Sequence, residues 1–287
     1  MRIFTLTFIT ACLFTLLTAE AWSQKPSAQT SKTPPPAVEA PQLSVCYNKE
    51  FPPISFAAFS LITVDPSYPA LSLEVINKSG KSAFARLSIN KVDPAKGWFK
   101  PLAESGAFKK SPDPSKPQTI DLSNPAWEDL LMQALIPQLI KKGFSGLYLD
   151  DLDLSYQQKQ HGQAAALISN IRKNFPELKL IANGGLEFLP SFALHINYIL
   201  LENRIAKQQK LTSISQVVKT LELLELGKKV NPKLIPLALD YYAPVASGLN
   251  TPHLLFIATL RKLHWEYGLA SCVTVESLDA VPIRPLN

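Results

Sequence analysis

The feature that most constrains this chain is an eightfold alternation of short, β-rich apolar runs with helical stretches. The runs are Leu43–Tyr47, Phe59–Val64, Phe84–Ile89, Gly146–Leu149, Lys179–Ala182, Tyr198–Leu201, Leu234–Leu239 and Ala270–Val273. Among them lie Pro125–Lys142, Gln157–Phe175, Ile214–Lys229 and Pro252–Tyr267, whose apolar residues recur at i, i+3, i+4 and i+7, the period of an amphipathic helix. This alternation is the pattern of a parallel α/β sheet. Continuous apolar runs such as Leu234–Leu239 suit strands buried on both faces, with Pro236 a mild objection. Eight strands, with no Gly-rich phosphate loop after the first, predict closure into a (βα)8 TIM barrel rather than an open doubly wound sheet. Several connections are too short for a full helix, so an irregular barrel is expected. The Pro- and Lys-rich stretch from Asn90 to Asn124 reads as an elaborate loop over the rim. Asn124-Pro125 and Thr251-Pro252 read as helix starts, each a cap followed by proline at the first helical position.

What precedes the barrel is of two kinds. Residues 1–23 carry Arg2, an apolar run from Ile3 to Leu17 and the small-residue pattern Ala19-Glu20-Ala21, and read as a secretory signal peptide. Ile9-Thr10-Ala11-Cys12 is a passable lipoprotein box, but the apolar run continues past Cys12, so lipid anchoring is not expected. Residues 24–42 are proline-rich and polar with no hydrophobic period, and read as a disordered tether. Residues 43–287 are expected to form one barrel domain, exported to the periplasm or secreted, with no transmembrane segment in the mature chain, acting as a monomer. Only Cys46 and Cys272 remain after cleavage, and barrel closure puts them on neighbouring strands. A disulfide is stereochemically open there, and two buried free thiols are the favoured reading. Neither the cysteines nor the four histidines have metal-ligand spacing, so no metal and no cofactor are expected. The net charge is +6, but the lysines form no basic run with interleaved aromatics, which argues against nucleic acid.

In such a barrel the chemistry sits at the carboxyl ends of the strands. The residues there are polar: Tyr47-Asn48, Asp65, Asp150-Asp151-Leu152-Asp153, Asn183, Glu202-Asn203-Arg204 and Asp240-Tyr241-Tyr242. Some have ordinary structural uses, Asp65-Pro66 and Asn183-Gly184 as turns and Asp151 or Asp153 as a helix cap. Tyr241 and Tyr242 are either rim packing or a platform for a sugar face. His195 and His264 lie in or beside apolar helical stretches and read as core or surface residues. Glu202 directly follows Tyr198–Leu201, and a charge at a strand end must be used or paired, with Arg204 one available partner. Asp150 and Glu202 can face each other across the mouth as the carboxylate pair that glycosidic cleavage requires.

At these residues the chain resembles the glycoside hydrolase 114 type barrels, described as endo-α-1,4-polygalactosaminidases, and most of all the hydrolase domains of Pel-type exopolysaccharide-modifying proteins. The likeness runs through Cys46-Tyr47-Asn48, Ile62-Thr63-Val64-Asp65-Pro66, Ala85-Arg86-Leu87-Ser88 and Asp121-Leu122-Ser123-Asn124-Pro125-Ala126-Trp127. Its most specific stretch is Gly143-Phe144-Ser145-Gly146-Leu147-Tyr148-Leu149-Asp150-Asp151-Leu152-Asp153, and Ala182-Asn183-Gly184-Gly185-Leu186-Glu187 and Leu201-Glu202 complete it. Two positions depart from the family: Ile89-Asn90 stands where Gly-Glu is usual, and Asn203-Arg204 follows Glu202 where Ser-Leu is usual. The resemblance implies metal-free cleavage of an α-1,4-linked galactosamine and N-acetylgalactosamine polymer. It implies Asp150 and Glu202 as the working acids, with Asp65, Asp153, Asn183 and Glu187 as substrate-binding candidates; by analogy with related barrels that use acids on the fourth and sixth strands, Asp150 is the nucleophile and Glu202 the acid/base, and position at the strand ends adds Tyr47, Asp240 and Tyr241 as substrate-binding candidates. A partly deacetylated polymer is cationic, and Asp65, Asp150, Asp151, Asp153, Glu187, Glu202 and Asp240 are expected to make the groove acidic despite a pI of 9.1. The alternative is a non-catalytic carbohydrate-binding barrel, motivated by an Arg204–Glu202 ion pair that would spoil the proton donor.

Overall fold

The computed structural model describes residues 41–109, 113, 115–207, 209–243 and 249–283; the signal peptide, the Cys12 box and nearly all of the tether lie outside them. Each of the eight apolar runs contributes a strand: β1 Leu43–Val45, β2 Leu61–Val64, β3 Ser82–Ser88, β4 Gly146–Asp150, β5 Lys179–Asn183, β6 Tyr198–Glu202, β7 Ile235–Tyr242 and β8 Ala270–Val275. They pair in that order, every pair parallel, and β8 lies against β1, so the sheet is a nearly closed TIM barrel. The helices are α1 Ala70–Lys78, α2 Phe99–Glu104, α3 Pro125–Leu130, α4 Ile136–Lys142, α5 Leu152–Gln157, α6 His161–Asn174, α7 Ile214–Val230 and α8 Thr251–Glu266.

Strand parity divides the core in two. Leu43, Val45, Leu61, Phe84, Tyr148, Ile181, Leu200, Leu237, Leu239 and Cys272 fill the barrel interior. The residues between them, such as Ile62, Val64, Ala85, Leu147, Leu149, Leu180, Ile199 and Leu201, pack outward against helix residues such as Leu73, Ile136 and Ile168. Successive side chains on a strand take opposite faces, and here both faces are covered. The same parity settles the cysteines. Cys46 belongs to the outer layer and Cys272 to the inner one, on opposite sides of the wall, and both are buried free thiols.

The irregularities have local causes. Between β1 and β2, and again between β5 and β6, the described connections hold only 3₁₀ turns. Over the second gap, α7 moves in: a Cβ on Gly227 would come within 2.3 Å of Leu189, so glycine permits the close approach. The helix expected over Pro125–Lys142 forms, but Leu131–Leu135 widens into a π turn, because Pro137 cannot donate to the carbonyl one turn before it. The helix expected over Gln157–Phe175 forms as α6 but starts later, at His161, and a separate short helix, α5, ends at Gln157 before it. At the break Lys159 turns left-handed, and the buried Gln160 amide ties Ile120 O and Leu122 N. The long loop over the rim is thereby pinned, and Trp127 pins it again by donating to Ile89 O at 2.9 Å. Asn124 caps α3 as expected. The cap of α8 is Asn250, whose side chain accepts from His253 N, rather than Thr251, which becomes helical.

Candidate active site

Parallel strands deliver their carboxyl ends to one mouth, and inward parity selects which side chains meet there. Asp150, Asn183, Glu202 and Tyr241 all have it, and they form one hydrogen-bonded network. Asp150 is buried; its Oδ2 accepts from Arg86 Nε at 2.7 Å, and its Oδ1 accepts from the Asp151 N–H at 2.8 Å and from Asn183 Nδ2 at 2.9 Å. The same Asn183 nitrogen donates to Glu202 Oε2 at 2.7 Å, and Tyr241 OH donates to Glu202 Oε1 at 2.6 Å. One amide therefore bridges the two acids, and its nitrogen must face them because both neighbours accept. The bridged oxygens can lie no farther apart than the two legs end to end, about 5.6 Å.

The backbone bends immediately after β4, β5 and β6. Asp151 (φ 66°), Gly184 (φ 79°) and Asn203 (φ 53°) are left-handed, a conformation that Asp, Asn and Gly accept most readily. At Gly184 the need is double, since a Cβ would come within 2.6 Å of the Asp153 carboxylate.

The electrostatics of the two acids differ. Arg86 reaches Asp150 from inside β3 while lying 4.8 Å over the Tyr47 ring. Burial is the largest single influence and opposes its charge, but Asp150, Tyr47 and Asp151 together outweigh it, and the guanidinium is held more firmly protonated than an ordinary arginine. Glu202 has no ion pair among the described residues and meets neutral donors. Burial, and then the neighbouring carboxylates, push the Tyr47 and Tyr241 phenols well above their usual range, so both stay neutral. Arg86 is the residue that reading the strand ends missed. It sits one turn of the pleat below the rim, and a charge at inward parity within the Phe84–Ile89 run was the available signal.

The other candidates have different positions. Asp153 Oδ1 accepts from the Gly185 N–H, and its Oδ2 pairs with Arg204 at 2.8 Å. Glu187 lies 3.9 Å from the same guanidinium. With Glu202 and Lys207 these groups line an open cleft of about 350 Å³. Arg204 is thus engaged by Asp153 and Glu187, and the pair with Glu202 on which the non-catalytic alternative rests is not formed. Asp65 stays at the rim and ties its own turn through the Ser67 N–H at 2.7 Å and the Ser67 hydroxyl. Asp240 has outward parity, which corrects its reading as a substrate-binding residue. Fully buried, it accepts from the Ala206 N–H at 2.9 Å and from His264 Nε2 at 2.7 Å, tying β7 to α8 and to the chain after β6. Three of the other acids expected in the groove each carry a cation. Asp150 carries Arg86, Asp151 carries Lys91 at 3.2 Å, and Asp153 carries Arg204. Asn90, the first departure from the family pattern, is a buried brace that donates to Asp151 O at 2.9 Å and to Ser155 Oγ. Among the described residues no group of three or more His, Cys, Asp or Glu is disposed to hold a metal, and no helix is long and apolar enough to cross a membrane.

Comparison with known proteins agrees with this picture. The model of glycoside-hydrolase family GH114 matches residues 23–230. The glycoside hydrolase domain of PelA from Pseudomonas aeruginosa superposes with a TM-score of 0.70 at 20% identity, covering 86% of this chain and 99% of that one. Aspergillus fumigatus Ega3, solved in complex with galactosamine, superposes with a TM-score of 0.63 at 8% identity, covering 84% and 92%. At those identities the likeness is one of fold. No curated protein matches the sequence.

Proposed function

The chain belongs to glycoside hydrolase family GH114, and from that premise we propose that it cleaves an α-1,4-linked galactosamine-type polysaccharide with Asp150 and Glu202 as its working carboxylates. The observation that carries this reading is the Asn183 amide shared between the two acids. One oxygen of each acid is thereby held within about 5.6 Å of the other, a close approach of the kind that suits a retaining pair, whose carboxyl groups usually stand about 5–5.5 Å apart. Asp150, paired with Arg86, is the group suited to attack the anomeric carbon as an anion. As that C–O bond forms, Glu202 protonates the departing oxygen; water then displaces Asp150 from the sugar while Glu202 takes back a proton. Tyr241 can donate to Glu202 when it is charged and accept from it when it is protonated. Galactosamine in the Ega3 complex, and the Pel-type hydrolase domain as a neighbour, support the substrate class. The Ile3 to Leu17 run supports export as part of the same reading.

The non-catalytic alternative loses its motive, since Asp153 and Glu187 engage Arg204. The test is release of reducing ends from a partly de-N-acetylated α-1,4-galactosaminan. Asp150→Asn and Glu202→Gln should each abolish it in folded protein. Full activity in either variant removes that residue from the mechanism, and no release by the wild type favours binding alone.

A further inference from the structure

Arg204 stands two residues after Glu202, with only the left-handed Asn203 between them, and both side chains line the same cleft. We propose that Asp153 and Glu187 are positioning residues that hold the Arg204 guanidinium off Glu202, so that Glu202 keeps a proton to give. This rests on the reading of Glu202 as the acid that protonates the departing oxygen, and adds what shields that acid from its own neighbour.

The hold is built from the loops after two other strands. Asp153 lies in the first turn of α5; its Oδ1 accepts from the Gly185 N–H at 2.6 Å, and its carboxylate occupies the space that a Cβ on Gly184 would need. Fixed in this way, Asp153 presents Oδ2 to Arg204 Nη2 at 2.8 Å. Glu187, just past the same two glycines, lies 3.9 Å from Nη1. Two nitrogens of one guanidinium are thus engaged by groups that follow β4 and β5, and among the described residues no ion pair joins it to Glu202 on β6.

The surroundings of Glu202 make Arg204 the cation that matters. Glu202 accepts from the Asn183 amide and the Tyr241 phenol, and it also faces Asp150 and the Tyr47 and Tyr148 phenols. Arg86 is taken by Asp150. The other cation of the cleft, Lys207, is exposed and five residues farther along the chain. A cation set against a carboxylate favours its charged form, and a charged Glu202 has no proton for the departing oxygen. The carboxylates lining the cleft are Asp153, Glu187 and Glu202. Once the first two are neutral, Glu202 is the partner left to Arg204.

The test is the pH dependence of kcat/KM for reducing-end release from partly de-N-acetylated α-1,4-galactosaminan by the full chain. Asp153→Asn with Glu187→Gln keeps the size of both side chains and leaves an oxygen for the Gly185 N–H. It should move the alkaline limb down by about one pH unit or more, which is about tenfold in rate on that limb, at a thermal midpoint near that of the wild type. Adding Arg204→Met should return the limb, and should move it farther there than Arg204→Met does alone, because in the wild-type background the guanidinium is already held off. Should the double variant fail to fold, Asp153→Asn alone should move the limb in the same direction. A wild-type profile in the folded double variant, or equal shifts from Arg204→Met in the two backgrounds, overturns the hold. A crystal structure of the double variant reads the same point without turnover: a guanidinium nitrogen of Arg204 should lie within about 4 Å of a Glu202 oxygen, and Arg204 elsewhere overturns the hold. That contact in a chain whose wild type releases no reducing ends keeps the hold and sinks the proposed function, and cleavage with Arg204 unmoved does the reverse.

Discussion

Asn183→Ala is the perturbation that bears most directly on the site. The amide is 7% exposed and donates to Asp150 at 2.9 Å and to Glu202 at 2.7 Å. Each is a hydrogen bond to a charged group, of a kind that contributes about 1.5–3 kcal/mol. If half of the combined amount is expressed in the transition state, about 1.5–3 kcal/mol is lost, which is roughly tenfold to a hundredfold in kcat. KM should move little, because Asn183 acts through the acids rather than on the sugar. The vacated space opens on the mouth, where water can enter, so the thermal midpoint should fall by only a few degrees. Initial rates of reducing-end release over a range of polymer concentrations separate kcat from KM, and a pH profile reports whether the two acids still act as a unit. Asn183→Asp is nearly isosteric but sets a third carboxylate against two others. At about 3 Å and an effective dielectric of about 20 the repulsion is roughly 5 kcal/mol for each neighbour, so that variant should lose both activity and stability. A kcat for Asn183→Ala within about threefold of wild type, with an unchanged pH profile, would refute the bridging role.

Three further outcomes do not depend on the two working acids. Asp240→Ala strands the Ala206 N–H and the His264 ring at about 1–3 kcal/mol each, so differential scanning calorimetry should show a midpoint lower by at least about 4 °C and up to about 20 °C, with KM for the polymer unchanged. Both thiols should resist an exposed-thiol reagent at pH 8 and react together on unfolding in denaturant, since burial pushes Cys272 up to about 12 and raises Cys46 as well. Fast native labelling of either would contradict the packing. Asp121 is held below its ordinary 3.8 by the Ser123 hydroxyl and then the Ser123 N–H. A lowered folded value contributes stability above the unfolded value that is lost as pH falls through the folded one. Denaturant midpoints should therefore decline as pH drops below about 4, and decline less steeply in Asp121→Asn.

The eight strands were legible because both of their faces are covered, so each reads as an unbroken apolar run bounded by turns. Their ends were legible too, since a polar residue directly after such a run has few places to go except the mouth. What the runs conceal is detail that depends on a distant partner. The break between α5 and α6 is set by Gln160 reaching the loop at Ile120 and Leu122, some forty residues earlier. The periodicity of Gln157–Phe175 carries no trace of that reach. The shift of the α8 cap from Thr251 to Asn250 is a smaller case, decided by which side chain meets the His253 N–H.

Parity explains most of what separates the candidates that converge from those that do not. Counting back by twos from Asp150, through Tyr148 to Gly146, keeps to the inside of the barrel, and the same count on β6 joins Glu202 to Leu200. On β7 it joins Tyr241 to Leu239 and Leu237, which fill the interior, and leaves Asp240 with Ala238 on the helix side. A strand end rich in acids therefore overstates the acidity of the mouth, because alternate carboxylates are spent on tying the wall to its helices. The same count on β3 makes Arg86 an inward charge below the rim. A cation there needs an acid within reach above it, and the register sets Ser88 of β3 beside Asp150 of β4. The pairing that gives Asp150 its positive partner thus follows from strand order and parity alone, once β3 and β4 are known to be neighbours.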